Sequence, residues 1–203
     1  MQRQISRLKR GKAALILIDI QERLLPAIFE NQRLIENAVR LIRGATILGL
    51  PVLATEQYPQ GLGPTVPGVK QALGAVAAVP KVTFSSCGAE GYAKAQGKIS
   101  GVRVPGQCNL LEALKCTKVS GVILCGMESH VCVVQTCLDL LEAGFTVFVP
   151  ADAVSSRTAE NWRIGLERMR DAGAAIVSVE MVLFELLERA GTEEFKKVLE
   201  LVK

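Results

Sequence analysis

The sequence predicts an α/β fold: a doubly wound, Rossmann-like three-layer sandwich built on a six-stranded parallel sheet. Three observations carry that expectation. Short apolar runs rich in Val, Ile and Leu alternate with longer segments of helical periodicity, the pattern of parallel strands joined by crossover helices. The runs are apolar throughout, as strands covered on both faces are. Gly49, Gly144 and Gly173 stand where periodic segments end, at the place where a helix commonly takes a left-handed residue.

Taken in order, the first strand is Ala13–Ile18, and a periodic stretch predicts a helix over Asn31–Leu48. Strands follow over 52–55 and 79–82. A helix over 108–116 leads to a strand over 122–125, and a helix over 130–143 leads to a strand over 146–149. Ala159–Ala172 is the next helix, 175–179 the sixth strand, and 181–189 and 192–202 two closing helices. Such crossovers are right-handed and place helices on both faces of the sheet. The segment 87–107 stands apart, being rich in Gly and polar residues with weak periodicity. It is expected to be an insertion that starts at the rim of the site. A lid and a solvated surface excursion both remain open for it. No repeat or linker divides the chain, so 1–203 is expected to be a single domain.

Composition narrows the function classes. With 49% hydrophobic and 22% charged residues the chain is that of a globular protein, not a disordered one. The net charge of +4 is spread along the sequence, and the one cluster, Arg3, Arg7, Lys9, Arg10 and Lys12, reads as a solvated tail. No nucleic-acid footprint is expected. No apolar stretch approaches the roughly 20 residues that cross a bilayer, and Asp19 and Glu22 interrupt the only candidate signal peptide. A cytoplasmic protein is expected, with its six cysteines reduced.

Several motifs fail on inspection. Gly61-Leu62-Gly63 opens like a dinucleotide fingerprint, but Pro64 and Pro67 occupy the place of the helix, so a turn is expected. From Gly91 to Lys98 the spacing is one residue too long for a phosphate loop. His130 is the single histidine and no Cys-x-x-Cys pair exists, so neither a metal nor a cofactor is expected. There is no Gly-x-Ser-x-Gly elbow.

In an open parallel sheet the ligand site lies beyond the C-terminal strand ends. The residues there are Asp19, Glu56 and Gln57, Phe84 and Ser85, 127–132 and 152–157, with Lys81 near the end of its own strand. Cys132 falls in the first turn of a helix, where unpaired N–H groups and the positive dipole end favour a thiolate. Taken singly, Cys132 reads as a small buried hydrophobe, Lys81 as a surface charge and Asp19 as a helix cap. Together a thiol, a cation that lowers its pKa and a carboxylate that takes its proton make a nucleophilic site. Cys132 is accordingly expected to be the most reactive of the six thiols. Asp19→Asn is expected to keep the fold.

The chain resembles the isochorismatase-like cysteine hydrolases, in particular the isochorismatase domain-containing branch. The stretches that carry the resemblance are Leu17-Ile18-Asp19-Ile20-Gln21, residues 55–66 (TEQYPQGLGPTV), Pro80-Lys81-Val82-Thr83-Phe84-Ser85, 126–136 and Asp152-Ala153-Val154-Ser155-Ser156-Arg157. The resemblance implies a catalytic triad of Asp19, Lys81 and Cys132. It also implies a cis peptide at Met127–Glu128 and an oxyanion hole from the N–H groups of Glu128 and Cys132. Gln21, Gln57, Phe84, Met127, His130 and Val131 are the candidate substrate-binding residues, and a homo-oligomer, a dimer or larger, is implied. Nicotinamidase members carry a metal-binding Asp-x-His pair where this chain has Glu56-Gln57-Tyr58, which disfavours nicotinamide as substrate.

The expected reaction is acyl transfer on a small-molecule amide or related C–N bond through a Cys132 thioester. The alternative is a non-catalytic interaction protein that keeps the hydrolase fold. A redox pairing of Cys132 with Cys137 is disfavoured, because five residues apart on a helix their side chains point to different faces.

Overall fold

The computed structural model describes residues 7–91 and 108–203. Its centre is one sheet of parallel strands: β1 (Ala13–Ile18), β2 (Val52–Gln57), β3 (Ala78–Lys81), β4 (Gly121–Met127), β5 (Thr146–Pro150), β6 (Val154–Ser155) and β7 (Ala175–Val177). The order across the sheet is β3-β2-β1-β4-β5-β7, with β6 paired to the end of β4. The six predicted strands are all present. The seventh, β6, is only two residues long and exists through its pairing with Gly126 and Met127, which no local periodicity can announce.

Around the sheet lie α1 (Asn31–Leu48), α2 (Pro59–Leu62), α3 (Pro67–Leu73), α4 (Leu110–Lys115), α5 (Val134–Glu142), α6 (Ala159–Ala172), α7 (Val179–Leu187) and α8 (Glu193–Val202). Among the described residues no helix is long and apolar enough to cross a membrane. Every residue of β1 is buried, and its two faces feed two cores. Ala14, Ile16 and Ile18 join Leu110, Leu114, Leu140, Leu166 and Met169, whereas Ala13, Leu15 and Leu17 join Leu41, Ile42, Val69, Leu183 and Val198. That alternation makes the three layers. Each fully buried Leu or Ile contributes about 1.5–3 kcal/mol.

Caps explain two of the boundary shifts. The helix expected from 108 begins at Leu110 because Asn109 accepts from the Glu112 N–H while Glu112 reaches back to Asn109, a capping box. The strand expected to reach 179 stops at Val177, since Ser178 caps α7. The turn expected at Gly61–Gly63 is partly helical, since α2 runs to Leu62, and the helix that Pro64 and Pro67 were expected to exclude is present as α3: Pro67 opens it at the first helical position, where a missing N–H costs nothing.

The chain turns twice to reach the site. After β1 it fills one half of the sheet through β2 and β3, then returns to place β4 on the other side of β1. The crevice between the ends of β1 and β4 is the switch point at which such sheets bind ligands. Most of the insertion 87–107, with the lid expectation attached to it, lies outside the described residues. Its base is fixed: Glu90 and Asn109 form an antiparallel bridge, and the Gly91 N–H donates to Cys108 O at 3.2 Å.

Candidate active site

β1 ends at Asp19, which turns the chain with a left-handed φ of 56° and is 1% exposed. Its backbone N–H donates to Thr55 O, and Oδ1 accepts from the Thr55 hydroxyl at 2.8 Å, so the carboxylate is fixed by the neighbouring strand. Lys81 is the last residue of β3, two strands away, paired in register with Gln57. Its ammonium donates to Gln57 Oε1 at 2.6 Å, Phe84 O at 2.9 Å and Thr83 O at 3.1 Å, which uses all three N–H groups. Lys81 Nζ also lies 2.7 Å from Asp19 Oδ2, pairing the two charges. The Asp19 carboxylate is thus a buried acceptor that interacts with both Lys81 and Cys132.

Cys132 reaches this carboxylate from β4. Gly126 makes the approach possible: its φ is 133°, and a Cβ there would sit 2.1 Å from Ile18 O. The Met127–Glu128 peptide that follows is cis. The helix predicted from 130 to 143 is divided. Ser129–Val133 is a π turn and α5 starts only at Val134. The Val131 and Val133 N–H groups both donate to Glu128 O, at 3.0 and 3.1 Å. Thr136 Oγ1 donates to Cys132 O at 2.7 Å and accepts from the Ser86 N–H at 2.9 Å, tying the cysteine turn to the loop after β3. From outside, α6 presses on the turn through Gly165, where a Cβ would meet Ser129 C and O at 2.8 Å.

The electrostatics differ from the expectation of a resting thiolate. Burial, then the charge of Asp19, pushes the Cys132 thiol up to about 12, and Lys81 offsets only part of this. Two N–H groups of the turn are already spent on Glu128 O. The thiol therefore keeps its proton at neutral pH. Asp19 is itself raised by burial, against the opposing effects of Lys81, Thr55 and Cys132. Burial raises both partners, so the ionised form of each is disfavoured. Cys87 and Cys137 are also pushed to about 12 by burial, whereas Cys116 is exposed. Cys116, not Cys132, is the accessible thiol.

A cavity of about 260 Å³ opens over Cys132, lined by Asp19, Gln57, Phe84, Met127, Glu128 and Val131 together with Leu24, Leu62 and Arg157. Lys81 stands behind it with a fully buried side chain. Two of the candidate substrate-binding residues are elsewhere. Gln21 is fully buried and its amide is consumed by Gln57 N, Gln57 O and Gly63 O, so it braces the loop after β2. His130 is not among the lining residues, and its Nδ1 is 2.9 Å from Ser156 Oγ. Gln57 lines the cavity, but its carboxamide holds Lys81 and Val82 O. Leu24, Leu62 and Arg157 were not among the candidates. Only Arg157 left a signal, as the cation in the strand-end segment 152–157. Among the described residues no cluster of three or more His, Cys, Asp or Glu side chains could hold a metal. A larger cleft of about 500 Å³ between Arg10 and Glu194 lies near the N-terminal end of β1 and carries no thiol.

Comparison with known proteins identifies the family. The model of the isochorismatase domain matches residues 13–181. Isochorismatase domain-containing protein 2 of Danio rerio is 36% identical over 200 residues, covering 98% of this chain and 90% of that protein. Among solved structures, the MAR1 ribonuclease of Caenorhabditis elegans is 35% identical with a TM-score of 0.82, covering 97% of this chain and 92% of that one. The YcaC gene product of Escherichia coli, described as an octameric hydrolase of unknown specificity, is 24% identical with a TM-score of 0.79 over 98% of this chain and 91% of that one, a likeness of fold.

Proposed function

This chain belongs to the isochorismatase family, and from that membership we propose that it is a cysteine hydrolase that cleaves a small-molecule amide or related C–N bond by acyl transfer. The observation that carries the reading is the Asp19 carboxylate: buried, fixed by Thr55, 2.7 Å from Lys81 through Oδ2 and interacting with the Cys132 thiol. It is a base with one proton left to receive.

In the proposed reaction Asp19 takes the Cys132 proton as Sγ attacks the carbonyl carbon, so that no free thiolate precedes the substrate. Lys81 stabilises the paired charges and keeps Asp19 in place. The N–H groups of Glu128 and Cys132 receive the developing oxyanion; loss of one such donor elsewhere costs about 10²–10³ in kcat. The amine leaves with the proton from Asp19 and a thioester remains. Water, deprotonated by Asp19, cleaves it and returns the thiol. Gln57 positions Lys81, while Leu24, Leu62, Phe84, Met127 and Val131 supply an apolar wall for a short substrate.

Turnover of a panel of small amides by wild type and by Cys132→Ala tests this. Activity lost in the variant, with a covalent acyl adduct on Cys132 seen by mass spectrometry of the wild type, is the expected result. Equal turnover by both proteins would remove Cys132 from the reaction. Assembly as a homo-oligomer belongs to the same proposal. It is supported by the octameric fold neighbour, and a species of only 21.8 kDa in light scattering would refute it.

A further inference from the structure

Proton transfer between Asp19 and Cys132 joins two groups that different elements hold. Asp19 follows β1, and Cys132 lies in the π turn before α5. Between them runs a chain of hydroxyl residues that the reaction itself does not use: Thr55 on β2, Ser86 in the turn after β3 and Thr136 on α5, all buried.

The chemistry of the carboxylate sets the direction of the hydrogen bonds on its side. Ionised Asp19 can only accept, so the Thr55 proton is committed to Oδ1 at 2.8 Å. Thr55 Oγ1 also lies 3.4 Å from Ser86 Oγ, and the proton of that contact then comes from Ser86. Ser86 Oγ has no other hydrogen-bond partner among the described residues. Through its backbone the same residue faces the nucleophile. Its N–H donates to Thr136 Oγ1 at 2.9 Å, and Thr136 donates to Cys132 O at 2.7 Å. Ser86 thus stands at the middle of a line that begins at the base and ends at the cysteine.

The charged neighbours of this line have fixed partners. Lys81 from β3 and Cys132 from its turn are the titratable groups that act on Asp19. On the cavity wall Glu128 pairs with Arg157. Behind Ser86, Asp139 accepts from Ser85 Oγ, and Cys87 Sγ faces Thr136 O at 3.9 Å. Donation from Thr55 works against the burial that raises Asp19. A hydroxyl that itself receives a hydrogen bond is the stronger donor.

We propose that Thr55 and Ser86 are positioning residues: a two-hydroxyl donor chain onto Asp19 Oδ1 that sets how a proton is divided between Asp19 and Cys132, with the Ser86 N–H holding the cysteine end through Thr136. The pairing of base and thiol rests on the acyl-transfer reading; the residues that tune the pair are new to it. Loss of the chain destabilises the Asp19 anion, so the proton moves from sulfur to carboxylate and the thiolate share rises. The pH at which the pair takes up its second proton rises as well. Once both groups are protonated Asp19 is neutral with or without the chain, and the difference vanishes.

The rate of Cys132 alkylation by iodoacetamide, followed by peptide mapping from about pH 5 to about pH 9, reads this division without a substrate. Above its acid limb Thr55→Val should react about tenfold faster than wild type, with the limb about one pH unit higher. Below the limb the two rates should converge. Thr55→Ser, which restores the hydroxyl, should return the wild-type profile, and Ser86→Ala should show the valine pattern at about twofold. Thr136→Val acts on the cysteine side and should leave the limb in place. A rate raised by one factor at every pH would indicate a looser pocket and overturns the proposal. So does an unshifted limb in Thr55→Val or a shifted one in Thr136→Val. Should Thr55→Val fail to fold, Ser86→Ala keeps the Asp19 bonds and the N–H to Thr136, and an unshifted limb there is equally fatal. Turnover of the amide panel separates the two claims. Shifted limbs without amide turnover sink the acyl-transfer reading and leave the donor chain standing, whereas Cys132-dependent turnover with unshifted limbs does the reverse.

Discussion

Asp19→Asn is the most informative single change, because it acts on a pair of charges with 0% and 1% side-chain exposure. As a strand-end carboxylate Asp19 looked replaceable; its burial against Lys81 argues for a cost instead. Removing one partner of a buried pair costs about 3–5 kcal/mol, since the other charge stays in the interior. The asparagine can soften this by turning its Oδ1 toward Lys81 and its amide toward the Thr55 hydroxyl, which also lies 3.4 Å from Ser86 Oγ. We therefore expect the lower end, about 3 kcal/mol. At about 2–4 °C per kcal/mol for a chain of this size, the melting temperature should fall by about 6–12 °C. The assay is chemical denaturation of wild type, Asp19→Asn, Lys81→Met and the double variant. The double variant should be less destabilised than the sum of the singles by about 2–3 kcal/mol, because no unpaired charge remains. Additivity within about 0.5 kcal/mol would refute the argument, since buried charge would not then be the source of the cost.

Three further outcomes follow from the same geometry. Because the charge of Asp19 raises the Cys132 thiol, Asp19→Asn should speed alkylation of Cys132 by iodoacetamide near pH 7 while turnover is lost. Peptide mapping should show Cys116 labelled first in the wild type, and slower Cys132 labelling in the variant would contradict the electrostatics. Stability should decline as pH rises above about 9 toward 12, by up to about 1.4 kcal/mol per unit for each buried thiol. The sign is set by thiols that keep their protons in the fold up to about 12 for Cys87, Cys132 and Cys137 but lose them when unfolded near 9. Cys132→Ala should flatten that slope by one thiol, and a slope unchanged in the variant would exclude the effect. Gly165→Ala puts a methyl group 2.8 Å from Ser129 O; it should cost about 1–3 kcal/mol and reduce kcat more than it alters KM, and an unaffected kcat would show that α6 does not hold the nucleophile turn.

Much of this was legible in the sequence, and the exceptions share a cause. The run AALILI is buried on both faces in any fold that contains it, and the strand-end rule brought Asp19, Lys81 and Cys132 to one rim from three separate strands. What stayed hidden depends on partners distant in sequence. Gln21 looked like a ligand contact because a glutamine beside a catalytic carboxylate has free polar atoms until the loop at 57–63 closes on it. Cys132 looked like a thiolate because helix position and a lysine are readable, whereas the burial that outweighs them is not. Arg157 was legible as the cation of the strand-end segment 152–157, whereas its pairing with Glu128 Oε2 was not.

The bridge between Glu90 and Asn109 has a consequence for engineering. It fastens the two ends of the 92–107 stretch to each other, just after the buried Ala89 and just before the capping box of α4. The described chain on either side is thus joined at that bridge. A longer or shorter passage changes the closure entropy by only about 0.6 kcal/mol per doubling of length. Lys81 and the nucleophile turn are anchored by their own hydrogen bonds and would not be displaced. For engineering, Glu90 and Asn109 are therefore the paired ends to preserve when the length of chain between them is changed.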